Sequence, residues 1–154
     1  MNIIKSDIKI YVEPELFDSK IRQHITDKVK EKTFHTCIDK FGYVMHVNKI
    51  NTINNIYSNL FVVNSDLTIF KPEMNTIYDS VICMLFKEGI FVEINDIQKV
   101  LIPTSSVYDM YEYKDNQFVC NDTKQILVTG MKLKVKLTAI KYYNNKFNCI
   151  GQII

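Results

Sequence analysis

The chain contains no tryptophan and only four glycines and three prolines in 154 residues. So few flexible or ring-locked positions exclude a fibrous repeat and a long flexible linker, and a 47% hydrophobic share leaves ample material for a core. No run approaches the ~20 apolar residues of a membrane span, and Met1–Val12 alternates polar with apolar residues, unlike a signal peptide. An intracellular protein with no membrane segment is expected. Charge of one sign is also scarce. A net charge of +2 falls well short of a bulk polyanion binder, so any nucleic-acid contact must come from local arrangement.

Catalytic signatures are missing as well. There is no G-x-S-x-G elbow, Walker loop, G-x-G-x-x-G or H-E-x-x-H, and four glycines leave little for a phosphate cradle. Cys37, Cys83, Cys120 and Cys149 form no C-x-x-C pair and no zinc spacing, which points to reduced structural thiols. His24, His35 and His46 fall on a helix, a loop and a strand, and the acidic residues are scattered. No metal, no cofactor and no catalytic role are expected. Asn121-Asp122-Thr123 fits a glycosylation sequon, but without a secretory route it reads as chance. Abundant Ile, Asn, Lys, Tyr and Phe reflect AT-rich codons before they reflect physics.

What is present is period. Asn2–Val12 reads as a strand, with Ile4, Ile8, Ile10 and Val12 on one face. Asp18 is a candidate N-cap for a helix to Lys32, where Ile21, Ile25 and Val29 form one apolar stripe. Phe41–Ile50 is a strand, Asn51–Asn59 a polar loop, and Leu60–Val63 and Leu67–Phe70 two short strands around the turn Asn64-Ser65-Asp66. The expected N-terminal domain, residues 1–72, is therefore a small β-α-β-β-β unit, a truncated RNP-like sheet with one covering helix.

Residues 73–154 read as strand and turn alone: Thr76–Leu85, Gly89–Ile94, Lys99–Ile102, then a polar Tyr-rich insertion over Tyr108–Asp122, then Met131–Tyr143 and Phe147–Ile150. Five strands with a long excursion between the third and fourth is the order of an OB-fold barrel. The expected class is α+β.

Two features suggest a binding surface. Ile90, Val92 and Ile94 share the inward parity, which turns Phe91 outward. An outward aromatic on the second barrel strand can stack a base, or else pack beneath the insertion or against the first domain. In the fourth strand Lys132, Lys134 and Lys136 alternate with Leu133, Val135 and Leu137. Three ammonium groups about 7 Å apart then line one face, near the pitch of phosphates along an extended single strand. A solvated face that discourages edge pairing is the competing reading. Lys87 and Lys99 flank the same region.

Taken in order, several segments resemble one family. Ile4-Lys5-Ser6-Asp7 and Val12-Glu13-Pro14-Glu15-Leu16-Phe17 are similar to its first strand and pre-helix turn. Lys40-Phe41-Gly42-Tyr43-Val44 resembles its GKFGY motif, with Asp39 replacing the first glycine, and Thr68-Ile69-Phe70-Lys71-Pro72 its VVFKP junction. Gly89-Ile90-Phe91-Val92, Leu101-Ile102-Pro103-Thr104-Ser105 and Gly130-Met131-Lys132-Leu133-Lys134-Val135 resemble strands of an OB domain of the ribosomal protein S-one type. The family is the larger stalk subunit of multisubunit DNA-directed RNA polymerases, comprising the polymerase II seventh subunit and the archaeal E subunit, and the resemblance fits a divergent or viral member.

The resemblance implies a non-catalytic transcription subunit that forms a heterodimer with a smaller helical partner and docks on the polymerase core. It also implies contact with nascent single-stranded RNA. Localisation would be nuclear in a eukaryotic cell, and in the virion or a cytoplasmic factory for a virus. It directs Phe41, Gly42 and the tip residues Asn54, Asn55, Ile56 and Tyr57 toward the core, since large exposed apolar side chains on a loop favour a partner. The chain departs from the family at a shortened tip, at Asn75 and Ser80 in place of glycines, and at Pro103 in place of an RNA-facing histidine. A stand-alone single-stranded RNA-binding OB protein of translation or RNA decay is the alternative, and a small nuclease a remote third.

Overall fold

In the computed structural model, which describes Met1–Ile154, the chain divides into two units, Met1–Lys71 and Pro72–Ile154. No helix is long and apolar enough to cross a membrane.

The first unit contains β1 (Asn2–Tyr11), α1 (Ile21–Thr33), β2 (Cys37–Ile38), β3 (Gly42–Tyr57) and β4 (Leu60–Phe70). Its antiparallel sheet has the order β1-β4-β3-β2. The four-residue stripe of α1 meets the sheet as its spacing predicts. Ile25 and Val29 are buried against Ile8, Ile10, Val63 and Leu67, and Ile21 packs at the edge of this core. The helix opens at Ile21 rather than directly after Asp18. The Asp18 carboxylate instead accepts the Lys20 N–H at 2.8 Å and so caps the turn that precedes the helix.

Two sequence expectations fail here. Asn51–Asn59 is not a loop: β3 continues through Tyr57 and turns tightly at Ser58-Asn59 into β4, with Tyr57 opposite Leu60. Nor is Asn64-Ser65-Asp66 a turn, since Leu60–Phe70 is one strand. Both errors come from treating Asn and Asp as turn residues. Paired across strands, their side chains satisfy one another: the Asn51 amide donates to Asn64 at 2.9 Å and to Asp66 at 2.8 Å. Ser65, between them, turns into the core and is fully buried. Register shifts along β3, such as those between Val44 and His46 and between Ile50 and Thr52, also break the alternation that would have announced a strand. The β-α-β-β-β count survives only because the unforeseen β2 replaces a strand lost by fusion into β4.

Gly42 cannot be another residue without distortion. Its φ is +128°, and an added Cβ would lie 2.5 Å from the Phe70 carbonyl oxygen. Asp39, where the family motif has glycine, also sits in the left-handed region at φ 46°, which Asp tolerates better than most residues.

The second unit contains β5 (Ile77–Phe86), β6 (Gly89–Ile94), β7 (Gln98–Pro103), β8 (Tyr111–Lys114), β9 (Gln117–Cys120), β10 (Lys132–Tyr143) and β11 (Lys146–Ile153). Five of these close a barrel in the order β10-β11-β7-β6-β5, with β10 returning to β5. The β7–β11 pair is parallel and the others are antiparallel, an OB-like arrangement. Ile82, Ile90, Val92, Ile94, Val100, Ile102, Val135 and Leu137 fill the interior and see essentially no solvent. Asn75 takes φ 62°, a glycine-like conformation. Ser80 is buried, and its hydroxyl donates to the Leu133 carbonyl at 2.8 Å. Both glycine replacements are thus accommodated locally. The Tyr108–Asp122 insertion is not a plain loop: β8 and β9 pair as a hairpin around Asp115-Asn116, with Phe118 fully buried.

Candidate nucleic-acid interface

The pleat of β10 puts Val135 and Leu137 inside the barrel and Lys132, Lys134 and Lys136 on its outer surface. Register extends this face. Lys132, Lys134 and Lys136 stand opposite Val81, Asp79 and Ile77 of β5. Val81 stands opposite Glu93 of β6, and Glu93 opposite Lys99 of β7. One row across four strands therefore reads Lys132, Val81, Glu93, Lys99, cationic at both ends with one carboxylate within it.

The neighbouring row is apolar. Phe91 of β6 lies between Met84 of β5 and Leu101 of β7, and Leu101 is in register with Ile150 of β11. Met84 and Ile150, at the two ends of this row, are 51% and 41% exposed, so large apolar side chains reach solvent along it. Phe91 is half-buried, with its ring centroid 5.6 Å from that of Phe86 at 40°. It faces outward, as parity requires.

Electrostatically the wall is under-compensated. Lys134 meets Asp79 at 3.0 Å, an exposed pair that contributes little and is screened by salt. No carboxylate lies within ion-pair distance of Lys87, Lys99, Lys132 or Lys136. The Cys83 thiol nearby is pushed up, chiefly by burial and secondarily by the Glu93 charge, so it stays protonated and unreactive.

The structure thus gathers Phe91, Lys99, Lys132, Lys134 and Lys136 on one wall. Lys87 is set apart, in the turn between β5 and β6, beside a cleft lined by Tyr108, Tyr111 and Tyr113. Met84, Leu101 and Ile150 were not singled out from sequence. Their own alternation carries the signal, but the strand order needed to join them does not show in it.

The residues expected to dock on a partner do not come together. Ile56 and Tyr57 are 59% and 78% exposed at the β3–β4 turn, beside exposed Asn54 and Asn55. That turn is pinned by the Val12 N–H, which donates to the Asn59 carbonyl at 2.9 Å. Phe41 is exposed too, but it precedes β3, whose length at ~3.3 Å per residue puts it on the order of 50 Å from Tyr57. Gly42 is buried and offers no surface. The three histidines are likewise dispersed. His24 lies 3.3 Å from Asp18, His35 stacks on Phe34, and His46 is exposed on β3. No group of three or more His, Cys, Asp or Glu side chains gathers as a metal set.

No family model matches the chain. Among solved structures, RNase R of Mycoplasma genitalium is similar in its apo form and in complex with ribose-methylated single-stranded RNA. The TM-scores are 0.44 and 0.43 at 18% identity, covering 53% of this chain and 13% of each of those chains. In sequence, the chain is 21% identical over 149 residues to DNA-directed RNA polymerase II subunit RPB7 of Glycine max, across 91% of this chain and 84% of that protein. Coverage of that extent takes in both units, so the chain is distantly similar to this polymerase subunit along nearly its whole length.

Proposed function

We propose that the chain is a non-catalytic stalk subunit of a DNA-directed RNA polymerase. It pairs with a small helical partner subunit, docks on the polymerase core through the Met1–Lys71 unit, and contacts nascent single-stranded RNA with the barrel wall. The carrying observation is the similarity to RPB7 through both units rather than through the barrel alone. A stand-alone OB protein would share only the barrel. The wall supports the RNA contact: cations without intramolecular partners lie beside an outward aromatic, the combination that single-strand binding surfaces use.

Purification of the tagged protein tests this reading. The largest polymerase subunits are expected to elute with it in stoichiometric amount, whereas recovery with ribosomes or a decay complex overturns it. The exposed tip supports a docking role for Ile56 and Tyr57. Changing Ile56→Ser together with Tyr57→Ser should release the subunit from polymerase while its thermal transition stays put. Retention at wild-type level removes the tip from the docking surface.

A further inference from the structure

The cleft beside Lys87 belongs to none of the surfaces assigned above. It is lined by Lys87, Tyr108, Tyr111, Glu112, Tyr113 and Asn121 and encloses about 330 Å³, at the small end of ligand pockets, which run roughly 300–1,000 Å³. Its walls come from two places, the β5–β6 turn and the excursion between β7 and β10. The excursion is tied to that turn: the Thr104 N–H donates to the Glu88 carbonyl at 3.1 Å, and the Thr104 hydroxyl to the Lys87 carbonyl. The Tyr111 N–H donates to the Val107 carbonyl at 2.8 Å, which fixes the start of β8 to the same anchor.

The tyrosines differ in what they do. Tyr113 packs edge-on against the buried Phe118, with ring centroids 4.9 Å apart, and so serves the hairpin core. Tyr111 is half-buried. Tyr108 lines the cleft, is 62% exposed and makes no ring contact, so its ring has no packing task. The chain also links the cleft to the wall. Phe91 stands beside Phe86, Phe86 ends β5, and Lys87 follows it in the chain. The aromatic pair of the wall therefore ends one residue before the cation that lines the cleft.

We infer that this cleft is a subsite for one nucleobase of the single-stranded RNA whose backbone follows the barrel wall. The inference rests on the RNA-binding reading above. The base enters between the tyrosines and stacks on Tyr108, a contact open to any base because every base has a π-face. The adjoining phosphate stays outside and meets Lys87. Glu112 enforces that division, since its carboxylate repels a phosphate inside the cleft but accepts hydrogen bonds from an amino-bearing base edge.

Fluorescence anisotropy with a single-stranded oligoadenylate at low ionic strength tests the subsite on the full chain. Tyr108→Ala should weaken binding about 5- to 150-fold, and Tyr108→Phe should bind as wild type because stacking needs the ring alone. Lys87→Gln, an exposed turn position that endangers no core, should lower the slope of log affinity against log salt by ~0.7. If both Tyr108→Ala and Lys87→Gln bind as wild type while Phe91→Ala loses affinity, the cleft is not a subsite and the wall reading stands. If the wild-type chain binds no oligoadenylate, the wall reading fails and the subsite fails with it.

Discussion

The polar strand face of the first unit and the cationic wall of the second use their side chains in opposite ways. On the first, polar groups complete one another: Asn51 donates to Asn64 and Asp66, Asn64 to Asp7 at 2.8 Å, Lys5 to Asp66 at 3.1 Å and Thr68 to Asn48 at 2.8 Å. On the second, Lys134 alone finds a carboxylate. A face whose donors and acceptors are matched internally fixes the register of a bulged hairpin and has little left to offer a ligand. A face whose cations lack partners is poised for an external anion. Both faces are rich in polar residues, and composition alone does not separate them.

The sharpest way to break this contrast is to neutralise the wall. Lys132→Gln, Lys134→Gln and Lys136→Gln combined should lower the salt slope of single-strand binding by about two, at ~0.7 per phosphate contact. Thermal stability should hold, because Lys132 and Lys136 have no ion-pair partner to lose and the Lys134–Asp79 pair is too exposed to contribute much. Lys5→Gln, from the matched face, should leave RNA binding untouched. A triple variant that binds like wild type reduces the lysine row to a solvated face.

Phe91→Ala should come next in size, losing about 1–3 kcal/mol of RNA affinity with little change in salt slope. A variant that unfolds instead makes Phe91 a packing residue. Smaller still is Asn51→Ala, which should lower the urea midpoint by the equivalent of about 1 kcal/mol and spare RNA binding.

The same substitution sharpens the contrast in acid. The Asn51 amide foremost, and then the Lys5 ammonium, hold the Asp66 carboxyl below its ordinary 3.8. Its contribution to stability is present in full above that value and fades as pH falls through the lower folded-state value. Urea midpoints measured from neutral pH to below 3.8 should therefore fall less in Asn51→Ala than in wild type.

The barrel was legible because burial and parity coincide: Ile90, Val92, Ile94, Val135 and Leu137 alternate in the sequence and are buried in the structure. Where parity is interrupted, legibility ends. The shifted register of β3 mixed the phases of Ile50 and Ile53, so Asn content decided the matter and decided it wrongly. The two residues of β2 are too few to show a period. Asp115-Asn116 was within reach. Both residues adopt left-handed φ angles, 53° and 61°, the signature of a tight hairpin turn. Within the site, the lysine row needed only a period of two. Its alignment with Lys99 and Phe91 depends on which strands are neighbours, and the Lys87 cleft on a hydrogen bond between Thr104 and a distant turn, neither of which is a local property.

The parallel junction of β7 with β11 is the thinnest part of the barrel, registered only through Val100 with Cys149 and Leu101 with Ile150. These partners are far apart in the chain, so the seam carries a large loop-closure entropy and is favoured to form late in folding. It is also where the barrel would first come apart in a transient fluctuation. Cys149 sits in this seam, 5% exposed, with its thiol pushed up to about 11 by burial. A thiol so protected reacts with an alkylating reagent only after the seam parts. The molecule thus carries its own clock for barrel breathing, read as the labelling rate of a single cysteine.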